Sequence, residues 1–119
     1  MTTLTHILTT LVGIEFLYIM YLETFATTSP RTARVFGMTR EELSRPSVNL
    51  LFKNQGIYNG LIGIALLLSL YLLKSPEITT LLLALIILVA LYGSYSTRKP
   101  TIYLKQGLPA TLALLSLLV

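Results

Sequence analysis

Four stretches of this chain are apolar for long enough to cross a bilayer: residues 4–26, 50–73, 78–96 and 103–119. About 20 such residues are needed for one crossing. Polar residues gather in the connections, above all in 27–49, where two short helical turns are expected. In "TSPRTARVFG", Ser29 is placed to cap a helix with Pro30 at its first position, and in "TREE", Thr39 and Glu42 make a capping box. The pattern predicts an all-α membrane protein, a single four-transmembrane-helix domain over residues 1–119 with a basic connection at 27–49. "FKNQGIYNGLIGIALLL" from Phe52 and "YLKQGLPATLALLSLLV" from Tyr103 resemble one another. That likeness suggests two helix hairpins in parallel repeat.

The pattern is broken where "LVGIEFLYIMYLE" carries Glu15 and Glu23 inside the first apolar stretch. A charged carboxylate at the bilayer centre costs at least about 2.5–3.5 kcal/mol on insertion scales, so such residues face the bundle interior or a wet cavity. At 1.5 Å of rise per residue Glu15 falls about 16 Å into its span, near the midplane, and Glu23 within the cytoplasmic third. The second span brings Asn54, Gln55 and Tyr58 to the depth of Glu23 and Asn59 nearer to Glu15. Tyr95 from the third span and Gln106 from the fourth approach the same layer. Glu15 is the proton-handling candidate, expected to pair with a neighbour such as Asn59. Gly56, Gly60 and Gly63 continue a GxxxG pattern on the second span, and their small size suits close helix packing.

Of the 119 residues, 54% are hydrophobic and 12% charged, against about a quarter charged in ordinary soluble domains. Mean hydropathy is +0.75. Cysteine and aspartate are absent and histidine occurs once, at His6. A hydrolytic triad or a two-metal centre has few residues to draw on in that inventory, and no catalytic residue, metal ligand or cofactor motif is singled out. The net charge of +4 does not imply nucleic acid, because the basic residues are interrupted by apolar spans. They report topology instead. Arg31, Arg34, Arg40, Arg45 and Lys53 fall in or beside the first connection and Arg98, Lys99 and Lys105 around the third, whereas Lys74 stands alone in the second. Basic connections stay in the cytoplasm. A multi-pass plasma-membrane protein with both termini external follows, and its partners would be membrane lipids; a homo-oligomer is compatible with it.

The strings "YIMYLETF", "TSPRTARVFG", "NQGIYNG" and "KQGLPATLALL", in that order, resemble the small bacterial membrane proteins grouped as DUF1304. The resemblance covers nearly the whole chain and implies a four-helix integral membrane protein without an assigned activity. Its pattern includes Glu23 more clearly than Glu15. Many members carry tryptophan where this chain has Thr27 and histidine where it has Phe16.

Three functions are compatible with these residues. In the first, Glu23, Asn54, Gln55, Tyr58, Asn59, Tyr95 and Gln106 line a pocket near the cytoplasmic side for a small polar or cationic ligand or a lipid headgroup. A proton-coupled exporter built on Glu15 is the second. The third, an intramembrane lipid-modifying enzyme with Glu23 as acid or base, has no nucleophile, metal cluster or cofactor motif behind it.

Overall fold

A computed structural model describes residues 1–119. The chain is helical from end to end, in the order α1 (Thr3–Met20), α2 (Pro30–Phe36), α3 (Arg40–Ser44), α4 (Pro46–Tyr71), α5 (Pro76–Thr97) and α6 (Leu108–Leu117). Two π-helical turns interrupt this regularity. Tyr21–Phe25 extends α1, and Tyr103–Gly107 leads into α6. The all-α expectation is met. Two helices, Thr3–Phe25 and Pro76–Thr97, are long and apolar enough to cross a membrane. The helix α4 is longer than either, but Lys53, Asn54, Gln55 and Asn59 interrupt its apolar character, and α6 has only 10 residues.

The residues form two compact units, 15–63 and 1–14 with 64–119. In the first unit the connection is tied down by capping. Ser29 Oγ accepts from the Thr32 amide, with Pro30 opening α2. Gly37 closes that helix at φ 64°, a left-handed backbone that glycine adopts without the steric cost of a Cβ. Thr39 and Glu42 exchange the two bonds of a capping box at the start of α3. The carbonyls left over at the end of the first π turn are taken up by hydroxyls. Thr27 Oγ1 donates to Glu23 O at 2.7 Å, and Thr32 Oγ1 donates to Leu22 O and Ala26 O at 3.2 and 2.7 Å. Arg40 Nε reaches Thr28 O at 2.8 Å, and Phe36 meets Phe52 edge to face. These links hold the basic connection against the helix ends on either side of it.

In the second unit Leu66, Leu70, Leu83, Ile86, Ala90, Ala110 and Ala113 are buried together with several hydroxyls. Thr5 Oγ1 donates to Ser116 O at 3.2 Å and accepts from Ser116 Oγ at 2.9 Å, while Ser69 and Thr79 share a bond of 2.9 Å. Small side chains let the helix backbones approach, and the hydroxyls of Thr5, Ser69, Thr79 and Ser116 are satisfied on arrival, whereas Thr9 Oγ1 is buried without a partner. Ser75 caps α5 ahead of Pro76, and Arg98 ends it in a left-handed conformation.

Large apolar side chains lie mainly on the outside in both units, Leu11, Ile14, Leu50, Leu61, Leu81, Leu88 and Leu112 among them. Beside the buried apolar residues several polar ones are fully buried, namely Thr5, Thr9, Glu23, Thr32, Ser69 and Thr79. Water-soluble domains seldom expose so many large apolar side chains.

Candidate functional site

Glu23 sits in the middle of the first π turn and is 0% exposed. The backbone there closes i→i+5 bonds, as Ala26 N to Tyr21 O at 2.9 Å shows, and so spends more residues per revolution than an α-helix. Its side chain is turned toward α4. On that helix Gln55 and Asn59 are one turn apart and therefore share a face. Gln55 Nε2 donates to Glu23 Oε2 and Asn59 Nδ2 to Oε1, each at 2.6 Å. Each carboxylate oxygen thus has its own carboxamide donor. Short bonds of this kind to a charged acceptor are worth about 1.5–3 kcal/mol apiece and offset the cost of burying the carboxylate.

Two glycines make the approach possible. A Cβ on Gly56 would overlap Thr24 Oγ1 and stand 3.0 Å from both Glu23 Cβ and the Thr24 backbone nitrogen; one on Gly60 would run into Met20 Sδ. Thr24 Oγ1 adds a bond of 2.9 Å to Lys53 O, pinning the π turn to α4 from the other side. Gly63 is buried further along the same helix.

The remaining expected site residues lie elsewhere. Asn54 is exposed and makes no bond to Glu23, and Tyr58, 71% exposed, points away into the surroundings. Tyr95, 81% exposed, and Gln106, half-buried in the second π turn, belong to the other unit. Glu15 is not paired with Asn59, whose amide is committed to Glu23. Its Oε1 is buried and has no hydrogen-bond partner. No group of three or more histidine, cysteine or acidic side chains comes together as a metal site would require.

Other contributors to this region were not foreseen. Met20, Thr24 and Thr27 shape the π turn, and a π turn has no sequence signature that would have singled them out. A groove of about 640 Å³ lies on the same segment, lined by Tyr18, Tyr21, Leu22, Ala26, Ser29, Pro30, Arg31 and Arg34, and Glu23 is not among its walls.

A family model described as a protein of unknown function (DUF1304) matches residues 10–118. An uncharacterised protein, YpaA, of Lactococcus lactis subsp. lactis (strain IL1403) is 59% identical over 117 residues, 98% of each chain. No solved structure matches.

Proposed function

The chain belongs to the DUF1304 family, and from that premise we propose that it is a four-span plasma-membrane protein using Glu23 to bind a small polar or cationic ligand, or a lipid headgroup. Two observations support the membrane reading, namely the two helices of sufficient length and apolarity and the outward apolar side chains surrounding buried hydroxyls. In this reading α4 and the segment from Tyr103 to Leu117 complete the four spans, the termini are external, and the connections rich in arginine and lysine are cytoplasmic.

The observation that carries the binding reading is the pair of carboxamides on Glu23. Ionisable groups within membrane spans are rare and most often serve function. Each Glu23 oxygen keeps a lone pair beyond the one its carboxamide occupies, and the carbonyl oxygens of Gln55 and Asn59 make no hydrogen bond within the protein. Together they are an acceptor set suited to an ammonium or another cation. Carboxamides orient a carboxylate but have no proton to transfer at neutral pH, which favours binding over acid–base catalysis. Gln55, the exposed partner, is the side from which a ligand enters.

Calorimetric titration of the detergent-solubilised chain with choline and ethanolamine tests this. Glu23→Gln removes the charge at nearly constant volume and should weaken binding at least about tenfold, the loss of one charged hydrogen bond. Equal binding by wild type and Glu23→Gln, or no binding by the wild type, would sink the proposal.

Glu15 favours a second reading, proton-coupled export, because its buried oxygen lacks a partner. Proton release on adding a cationic substrate such as tetraphenylphosphonium, lost in Glu15→Gln, is the expected signature. A wild-type protein that binds the cation without releasing protons rejects it.

A further inference from the structure

We propose that the groove between the end of α1 and α2 is a binding site for an anionic phospholipid, with its phosphate held by Arg31 and Arg34 and its apolar part lying against Tyr18, Tyr21, Leu22 and Ala26. This site is separate from the Glu23 site and rests only on the membrane reading above.

Arg31 and Arg34 are three residues apart on α2 and so lie on one side of it. Both line the groove, and no carboxylate does. Glu23, the acid that falls within the groove's own stretch of chain, is turned to α4 and bound there by Gln55 and Asn59. The charged side chains that line the groove are therefore both basic. Arg31 is also held in place, since its Nη1 donates to the Tyr18 hydroxyl at 3.2 Å. One bond leaves most of the five guanidinium N–H donors free, in the planar fork that suits phosphate oxygens.

The rest of the groove argues for a lipid over a soluble anion. Tyr18 and Tyr21 stack with ring centroids 6.4 Å apart and both rings are substantially exposed. Leu22, Ala26 and Pro30 supply an apolar floor. Ser29 is already occupied in capping α2, so the polar capacity of the groove is concentrated in the two arginines. A free phosphate would use that end alone and leave the aromatic wall without an occupant. The groove also lies where the apolar helix Thr3–Phe25 ends, the level at which tyrosines and arginines meet headgroups.

Native mass spectrometry of the full chain, released from micelles holding equal amounts of phosphatidylglycerol and uncharged diacylglycerol, which offers no cation to Glu23, reads the preference directly. The expected result is preferential retention of phosphatidylglycerol, reduced at least about tenfold in Arg31→Gln/Arg34→Gln and unchanged in Lys74→Gln, whose residue lies outside the groove. Tyr18→Phe, which releases Arg31 without altering charge, should fall between. Inorganic phosphate in millimolar excess should not displace the lipid. Equal retention of the two lipids by the wild type overturns the proposal, as does displacement by inorganic phosphate or an unaltered preference in the double variant. Wild-type discrimination needs no substitution, so the test stands even if a variant misfolds. Glu23→Gln should retain phosphatidylglycerol normally, which separates failure here from failure at Glu23.

Discussion

Asn59 Nδ2 stands 2.6 Å from Glu23 Oε1, across 36 residues of sequence and from a neighbouring helix. With Gln55 on the other oxygen, it converts a carboxylate that would be expensive to bury into one with a donor for each oxygen. The two donors are not equivalent, because Asn59 is half-buried and Gln55 exposed.

That difference sets the first expectation. Asn59→Ala leaves a buried oxygen without a donor and should cost about 1–3 kcal/mol. Gln55→Ala should cost less, because its position admits replacement donors. Thermal denaturation of both variants in one detergent gives the comparison, and a Gln55→Ala protein less stable than Asn59→Ala would contradict it.

The two glycines of α4 should also respond differently to alanine. At Gly56 the new methyl meets the Thr24 hydroxyl, Glu23 Cβ and a backbone nitrogen. Backbone cannot yield, so a cost of about 1–3 kcal/mol is expected. At Gly60 the obstacle is the flexible side chain of Met20, which can move aside, and the better helix propensity of alanine partly compensates. Melting curves should rank Gly56→Ala below Gly60→Ala, and choline binding should weaken in Gly56→Ala because Glu23 shifts.

Orientation follows from charge. A reporter fused after Val119 should read as external and one inserted between Gly37 and Thr39 as cytoplasmic. Neutralising Arg31, Arg34, Arg40 and Arg45 should give mixed orientation. Protease accessibility in sealed vesicles checks both, and a cytoplasmic C-terminal reporter on the unaltered chain would reverse the topology.

Capping offers a local control. Thr39→Ala removes one half of the box at α3 and should destabilise by about 1 kcal/mol. Hydrogen exchange should rise in residues 39–44 and leave the amides around Glu23 unaffected. Faster exchange at Glu23 would show that α3 supports the site.

Long apolar runs made the all-α class legible, and short polar motifs revealed the caps at Ser29, Thr39 and Glu42, because capping is decided within a few neighbouring residues. Gln55 and Asn59 could be recognised as a one-turn pair for the same reason. Their carboxylate could not be matched by depth alone: a uniform rise placed Asn59 nearer Glu15, whereas its amide is bonded to Glu23. The uniform α-helix assumed for that reckoning stops at Met20. The Arg31–Tyr18 contact was equally hidden, since it depends on how the chain doubles back after Ala26.

A π turn amounts to a phase slip in a helix. Upstream of Tyr21 the side chains of α1 keep one angular register; through Tyr21–Phe25 the surplus residue advances it, and Glu23 and Thr24 present themselves to α4 while Tyr21 and Leu22 line the groove. Four consecutive residues thereby serve two surfaces. The turn acts as a rotary joint between them, so any change that wound this segment back into α-helix would move the carboxylate and the groove wall together.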